Sequence, residues 1–144
     1  MQWNGSANAG FSRAGVQPWL PLSANFNTVN VESELEDASS TLNFVRRLLD
    51  LRHSTVALHS GTYQSIQIDD TDCFVYRREA RGHRFVVALN FSGEPRTISL
   101  PESGRATERV STHLDGDTEV DLRTLHLRPN EGRIVEVLDS PTAH

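Results

Sequence analysis

The chain has 144 residues, 37% of them hydrophobic, which suffices for one ordinary domain or for a small domain with an appendage. Its net charge of −5 comes without long charge runs and argues against nucleic acid as the main partner. The single cysteine, Cys73, excludes an internal disulfide framework and a cysteine-based zinc site. All 14 basic residues are Arg, which excludes a Schiff-base or phosphate-loop lysine.

Signals for membranes and secretion are absent from the sequence. No run of about eighteen apolar residues occurs, so we predict no membrane span. The N-terminus lacks a basic region followed by an apolar stretch, so we expect a cytoplasmic protein. The glycosylation patterns at Asn4-Gly5-Ser6 and Asn90-Phe91-Ser92 therefore carry little weight.

Residues 1–30 are rich in Asn, Gly, Ser and Pro and follow neither a helical nor a strand period. Four aromatic residues are spaced irregularly in this stretch: Trp3, Phe11, Trp19 and Phe26. A stretch of this length without regular structure is usually a functional loop or a detached piece of a larger protein.

Residues 31–53 have a helical pattern. Asn30 is placed to cap a short turn, VESELE, and Asp37 is placed to cap the main helix over 38–53. On a helical projection, one half of that helix is apolar and carries Leu42, Phe44, Val45, Leu48, Leu49 and Leu51. An apolar face of this width predicts a substantial partner surface.

Residues 60–139 change to a pattern of short strands separated by Asp, Gly and Pro turns. The predicted strands are 61–68, 73–80, 83–92, 96–100, 106–114, 122–127 and 133–139. Because no helix separates them, we predict an antiparallel sandwich with the apolar FVVALNF strand at its centre. The leucines of 122–127 do not alternate cleanly, so this strand either carries a bulge or is misplaced.

Residues suited to metal binding are scattered. The six histidines form neither a helical i, i+4 pair nor a cluster, so we expect no metal site: His53, His59, His83, His113, His126 and His144. An alternating acidic run resembles a Ca²⁺ loop, but its glycine is not at the EF-hand position, which favours a solvated turn: Asp115, Asp117, Glu119 and Asp121. A second acidic group, Asp69, Asp70 and Asp72, is also interpreted as a turn.

Nucleophiles and anion sites are equally sparse. Cys73 begins a strand without a nearby His, which favours a buried hydrophobe over a nucleophile. Ser54 and Ser60 lie beside histidines but not in a nucleophile elbow. No Gly-rich phosphate loop follows a strand, so we expect no cofactor. An arginine cluster at a hairpin tip favours a solvated face, with an acidic partner as the alternative: Arg77, Arg78, Arg81 and Arg84.

A family resemblance takes the analysis further. The segment Met1-Gln2-Trp3-Asn4, followed by Asn8-Ala9-Gly10-Phe11-Ser12, resembles the α-glucosidases and oligo-1,6-glucosidases of the α-amylase superfamily. Those enzymes carry Pro-Met-Gln-Trp-Asp and then Ala-Gly-Phe-Thr or Ala-Gly-Phe-Ser, so Asn4 replaces the usual Asp. The resemblance continues, in order, through Pro18-Trp19-Leu20-Pro21-Leu22 and residues 29–32, 40–44, 46–52 and 86–92.

The resemblance implies a mainly β fold, an antiparallel Greek-key-like β-sandwich preceded by a long loop and one amphipathic helix left over from a (β/α)8 barrel. Residues 1–59 would be the tail of the catalytic barrel, with the loop after strand eight and the last helix. Residues 60–144 would be the C-terminal all-β sandwich. Met1 would then be an internal methionine, and the chain roughly the last quarter of a family member.

The implied parent enzyme hydrolyses α-1,4 or α-1,6 glucosidic bonds with retention, using two carboxyl groups about 5 Å apart. In the family these groups lie upstream of Met-Gln-Trp, so we assign no catalytic residue here and expect a noncatalytic portion, inactive alone, whose sandwich stabilises the barrel. Transglycosylases and isomerases share this tail pattern. Gln2 and Trp3 are the candidate substrate-binding residues of the intact enzyme, by hydroxyl bonding and sugar stacking. Alternatively, Trp3 packs under the loop and Gln2 satisfies loop backbone.

The expected partners are the missing barrel, an α-glucoside in the intact enzyme only, and a second copy through the exposed helix face; nucleic acid and membrane are not expected. Two alternatives are a stand-alone sugar-binding module and an interaction module that uses the helix face. A sugar-binding module usually needs a row of exposed aromatic side chains. The sandwich has Tyr63, Phe74, Tyr76, Phe85 and Phe91, of which the last three have patterns suited to the core.

Overall fold

The computed structural model of the protein describes residues 1–100, 104–116 and 118–138 and is mainly β, as predicted. Within these residues three helices come first: α1 (Val31–Glu36), α2 (Thr41–Ser54) and α3 (Val56–Ser60). The strands are β1 (Thr62–Ile66), β2 (Cys73–Ala80), β3 (His83–Asn90), β4 (Arg96–Ile98), β5 (Arg105–Ser111), β6 (Glu119–Asp121), β7 (Leu125–Leu127) and β8 (Gly132–Val137). Pro101, Asp117, Asp139 and His144 lie outside the described residues.

The chain divides into two compact units, one from Met1 to Arg47 and the other from Leu48 onward. The predicted domain boundary between residues 59 and 60 stays a prediction. None of the helices in the described ranges combines the length and the apolar character needed to cross a membrane.

The second unit contains a six-stranded sheet in the order β1-β2-β3-β8-β5-β6 and a two-stranded sheet of β4 and β7. All strand pairs are antiparallel. The apolar β3 lies in the interior, between β2 and β8, which confirms its predicted central position. β8, the last strand, inserts between β3 and β5, so neighbours in the sheet are far apart in sequence.

One face of the large sheet packs on the small sheet and forms the main core. Side chains alternate along β3, so Val86 and Ala88 point into this core while Phe85 and Val87 point to the opposite, outer face. The core also contains Ile66, Val75, Ile98, Leu100, Ala106, Leu122, Leu125, Leu127, Val135 and Val137. Burying each large side chain of this set contributes about 1.5–3 kcal/mol.

The strand predicted over 122–127 was wrong in its first half. Leu122–Thr124 forms a 3-10 turn, and only Leu125–Leu127 is a strand. The Asp121 carboxylate accepts the backbone N–H of Arg123 at 2.9 Å and opens the turn. Leu122, Leu125 and Leu127 are all buried, although they are spaced first by three residues and then by two. This change of spacing explains why their pattern fits no single period. The three-residue β6 just before the turn was not predicted.

The first helix cap was predicted correctly and the second was not. The Asn30 side chain accepts the N–H of Ser33 at 2.9 Å and caps α1. Asp37 instead accepts the N–H of Ser39 at 2.8 Å in the turn before α2. α2 begins later than predicted, at Thr41, because the Ser40 hydroxyl accepts the N–H of Asn43 at 3.2 Å and takes the capping role.

The apolar half of α2 is only partly covered. No residue of α2 is buried, and Val45 and Leu49 are exposed. Leu51 is partly buried against the outer face of the sheet.

The short helix α3 was missed by sequence reasoning. Its Ala57 and Leu58 are buried against Phe85 on the outer face of the sheet. The Arg78 guanidinium donates to the carbonyl of Ala57 at 3.2 Å, and that of Arg52 donates to the carbonyl of Leu58 at 3.1 Å. The segment has only five residues, too few for a helical period to show, and it is stabilised by these tertiary contacts.

Asn90, in the second glycosylation pattern, is buried, and its side chain links two turns by hydrogen bonds. Its amide nitrogen donates to the carbonyls of Glu94 and Arg128, both at 2.8 Å, and its oxygen accepts the N–H of Ser92 at 2.9 Å. A glycan on this nitrogen would occupy buried space and remove a donor, so Asn90 has a structural role.

Gly61, which follows α3, lies close against the backbone of β2. An added Cβ would lie 2.6 Å from the carbonyl oxygen of Glu79 and also against that of Ala57, and both are backbone atoms. We expect Gly61→Ala to lower the free energy of unfolding by about 1–3 kcal/mol, because the backbone must shift to make room. Urea unfolding of the purified chain measures this change.

Gly93→Ala is the matched control, since no heavy atom lies within 4 Å of its added Cβ. We expect this variant to change the free energy of unfolding by less than about 1 kcal/mol. Equal losses in the two variants would contradict the close contact at Gly61.

Candidate functional site

The two predicted substrate-binding residues begin the loop of the first unit, and their backbone caps α1. The carbonyl of Gln2 accepts the N–H of Val31 at 2.9 Å, and the carbonyl of Trp3 accepts the N–H of Glu32 at 3.0 Å. The first amide groups of a helix have no acceptor within the helix itself. Together with the Asn30 cap, these bonds satisfy three such donors and anchor the start of the loop to α1.

Trp3 is also held from the side of the following turn. The backbone N–H of Trp3 donates to the carbonyl of Ala9 at 2.9 Å. Gly10 has a φ of +77°, and an added Cβ would lie 2.9 Å from the Trp3 Cβ and 3.1 Å from the Asn4 Oδ1. The position therefore requires glycine for both its backbone conformation and its close contact with Trp3.

Two residues of this turn have strained backbone. Asn8 and Ala9 have φ values of 60° and 53°, in the left-handed region that costs an alanine about 1–2 kcal/mol. The Asn8 amide nitrogen lies 2.9 Å from the Ser12 hydroxyl and 2.7 Å from the carbonyl of Val16, while Ala9 is fully buried. Strain of this kind persists only where surrounding contacts dictate the conformation, and it is often found at functional sites.

The side chains of the candidate residues differ in exposure. The Trp3 side chain is 55% exposed, whereas Gln2 is half-buried. Asn4 accepts the N–H of Ser6 at 3.1 Å and its hydroxyl at 2.6 Å through Oδ1. The carboxylate of an aspartate offers the same acceptor. Replacement of the family's Asp by Asn4 therefore preserves the hydrogen bonds of this turn. Contact of Gln2 and Trp3 with a sugar stays a prediction.

Further along the loop, apolar side chains line an open cavity of about 610 Å³. Trp19 is 91% exposed, and Phe11, Val16 and Leu20 are also exposed. The remaining lining residues are Ser12, Gln17, Pro18, Pro21 and Leu22. The irregular spacing of the aromatic residues was the only sequence signal for this surface.

Of the four acidic residues considered as a Ca²⁺ site, the three within the described ranges form ion pairs. Asp115 pairs with Arg128 at 2.6 Å, Glu119 with Arg105 at 3.1 Å and Asp121 with Arg123 at 2.7 Å. The Arg128 guanidinium holds the pKa of Asp115 well below its usual range. The hydrogen bond from Arg123 lowers the pKa of Asp121 to about 2. Among the residues that the structure describes, no group of three ligating side chains is placed to hold a metal ion.

Two other polar candidates have structural surroundings. Asp70 and Asp72 both pair with Arg96, at 3.3 and 2.5 Å. Cys73 beside them is half-buried, and burial, followed by the Asp70 charge, raises the pKa of its thiol. A raised pKa disfavours the thiolate, which is the nucleophilic form.

The sandwich aromatics depart from the prediction that three of them lie in the core. Phe85 is buried, as predicted. Phe91 follows the end of β3, where strand alternation lapses, and is 71% exposed. Tyr76 points to the outer face of the sheet and is only half-buried.

A buried carboxylate, Glu131, pairs with the partly exposed Arg128, which also pairs with Asp115 in a second turn. Glu131 is buried and accepts the N–H of Arg128 at 2.7 Å, the Arg128 guanidinium and the Ser111 hydroxyl at 3.1 Å. Burial alone raises the pKa of Glu131, but these hydrogen bonds outweigh burial and hold the pKa below its usual value.

Comparison with known proteins places both parts of the chain. Residues 1–61 match the family described as "Alpha amylase, catalytic domain", and residues 75–136 match "Beta-galactosidase C-terminal domain". The oligo-1,6-glucosidase of Parageobacillus thermoglucosidasius is 33% identical over 95% of this chain, and the α-glucosidase MAL12 of Saccharomyces cerevisiae is 37% identical over 88%. The chain belongs to the α-glucosidases and oligo-1,6-glucosidases of the α-amylase superfamily.

Solved structures agree with this family assignment. The trehalulose synthase MutB from Pseudomonas mesoacidophila MX-45 aligns with a TM-score of 0.79 and 32% identity over 95% of this chain. The chain spans only 24% of that structure, and 24% and 22% of the two curated relatives. It corresponds to a C-terminal part of such glucosidases, as the resemblance implied.

The Arg128–Glu131 pair predicts an altered pH dependence of stability in Arg128→Met. In the unsubstituted chain, folding lowers the pKa of Glu131 below its ordinary value of 4.5. This shift stabilises the folded chain at pH values above 4.5, and the stabilisation is lost as the pH falls through the folded-state pKa. Without the Arg128 guanidinium, the effect of burial is opposed only by the bonds from the backbone N–H of residue 128 and from the Ser111 hydroxyl, so we expect the pKa of Glu131 to rise. The variant should lose about 1–3 kcal/mol near pH 7 and recover part of it on acidification to about pH 4.5.

Urea unfolding across this pH range measures both effects. Arg123→Met is the matched control, because its pair with Asp121 is largely exposed and contributes little. A pH dependence of Arg128→Met parallel to that of the unsubstituted chain would contradict the role assigned to Arg128.

Proposed function

We propose that the protein is the noncatalytic C-terminal portion of an α-glucosidase-type glycoside hydrolase that acts on α-1,4 or α-1,6 glucosidic bonds. The observation that carries the proposal is identity of 32–37% to glucosidases along nearly the whole chain, which covers only 22–24% of their length. The catalytic carboxylates would then be supplied by the rest of the enzyme, since no residue of this chain matches them by motif.

The roles proposed for the two segments of the chain follow from the two family matches. Residues 1–59 would complete the catalytic barrel, and residues 60–144 would form the sandwich that stabilises it. The partly exposed apolar half of α2 supports this division, because Val45 and Leu49 on that face lack full cover. Loops at one end of a (β/α)8 barrel build its active site, which suits the long first loop.

Gln2 and Trp3 are proposed to form part of the substrate wall in the intact enzyme. Support comes from the anchored backbone on both sides of Trp3, combined with an indole that is 55% exposed. An anchored, exposed indole presents a preorganised surface on which a sugar ring stacks. The predicted cytoplasmic location stays a prediction.

The second candidate function, a stand-alone sugar-binding module, has one supporting observation. Tyr63, Phe74 and Tyr76 form a contiguous group on the outer face of the sandwich, which sequence patterns had partly assigned to the core. We favour the first function because the family matches account for the loop and helices as well as the sandwich.

The proposal predicts that this 144-residue chain does not hydrolyse maltose, isomaltose or p-nitrophenyl α-glucoside. A chimera in which it replaces the matching segment of the P. thermoglucosidasius oligo-1,6-glucosidase should fold and retain glucosidase activity. Release of glucose or p-nitrophenol measures both. Turnover by the pure chain alone, or a chimera that does not fold, would contradict the proposal.

Trp3→Ala in the chimera should lower kcat/KM by about tenfold, because loss of one stacking contact costs roughly 1–1.5 kcal/mol. The same substitution should leave the Tm of the chain alone within about 2 °C, since Trp3 is 55% exposed there. Trp3→Phe keeps a stacking ring and should restore most of the activity. Unchanged kinetics of Trp3→Ala would remove Trp3 from the substrate wall.

A further inference from the structure

Three aromatic side chains form a row on the outer face of the large sheet: Tyr63, Tyr76 and Phe74, here called the aromatic row. The ring centroids of Tyr63 and Tyr76 are 5.3 Å apart, and those of Phe74 and Tyr76 are 5.7 Å apart. Tyr63 is 55% exposed and Phe74 is 43% exposed. Large apolar groups exposed side by side mark an interaction surface more strongly than scattered ones do.

Strand register places the aromatic row on the face that α3 covers. Tyr76 lies opposite Val87 in the β2–β3 pair, and Val87 points to the same side as Phe85 because they are two residues apart. Phe85 is covered by the buried residues of α3. The aromatic row is therefore the uncovered continuation of a surface that is already partly covered.

The last turns of α2 approach this same face. Leu48 and Arg52 line a cavity of about 200 Å³ together with Tyr76 and other outer-face residues. Both α2 and α3 belong to the segment 1–61, which matches the catalytic-domain family. Segments of catalytic-domain type thus already occupy the surface next to the aromatic row, and relatives have roughly three-quarters of their length outside the match.

We propose that the aromatic row is a docking surface for the part of the catalytic domain that this chain does not contain. This inference rests on the proposed function, because it takes that catalytic domain as the occupant. It goes further in naming which sandwich residues make the contact. Burial of Tyr63 and Phe74 in the intact enzyme then fastens the sandwich to the barrel independently of the covalent connection through α2.

A sugar is the less favourable occupant. The ring plane of Tyr76 is tilted by 36° from that of Tyr63 and by 47° from that of Phe74, so the three rings do not form one flat platform. Tyr76, at the centre, is half-buried and offers only part of its ring. Stacking of successive sugar rings requires open aromatic faces, whereas an irregular protein surface packs against tilted rings equally well.

The test compares the double variant Tyr63→Ser/Phe74→Ser with the control Phe91→Ser, which removes an exposed ring outside the row. In this chain alone, both should unfold within about 2 °C of the unsubstituted chain, because the rings are exposed there. In the chimera, the double variant should lower Tm by more than about 3 °C, and the control should not. Differential scanning calorimetry measures the Tm of each variant, both in the chain alone and in the chimera.

The outcomes separate the two proposals. An active, folded chimera whose Tm the double variant does not lower overturns the docking surface and leaves the proposed function standing. A large loss of Tm in the chain alone also overturns it, since the rings would then stabilise the isolated sandwich. Binding of maltoheptaose to the chain alone, lost in the double variant, would assign the row to sugar instead. A chimera that fails to fold contradicts the proposed function and the docking surface together.

Discussion

The structure depends on one constraint, which is that β3 needs cover on both of its faces. Phe85, Val86, Val87 and Ala88 are consecutive and all buried. Since successive side chains of a strand point to opposite sides, neither face of the sheet can be left to water at this position. The small sheet of β4 and β7 covers one face, and α3 covers part of the other. α3, the last helix of the segment that matches the catalytic-domain family, therefore forms part of the cover of the large sheet.

Under the proposed function, this arrangement would let the sandwich stabilise the catalytic domain. Gly61 lets α3 approach the sheet closely, and the Arg52 and Arg78 side chains bond to its carbonyl groups. A movement of the sandwich would therefore carry α3 with it. The aromatic row extends the same contact surface, so attachment to the catalytic domain would be spread over a face of the sheet and not limited to one linker.

The opening loop follows a different physical rule. It has almost no regular structure, yet its backbone groups are bonded to α1, and strained residues hold the turn beside Trp3. Such anchoring without secondary structure is compatible with the role proposed for Gln2 and Trp3 in the intact enzyme. In the sandwich, Asn90 and the Arg128–Asp115 pair play a comparable part by bonding turns to one another.

Much of the architecture was determined by the sequence alone, because local periodicity and turn residues are short-range properties. The strand pattern, the central place of β3, the Asn30 cap and the family motifs all needed only neighbouring residues. Tertiary structure decided the rest. Leu122, Leu125 and Leu127 combine a turn with a strand, a short α3 forms because Phe85 and two arginines stabilise it, and Tyr76 faces outward because of register. Each of these depends on contacts between residues far apart in sequence, and no local pattern records which distant side chain will lie opposite.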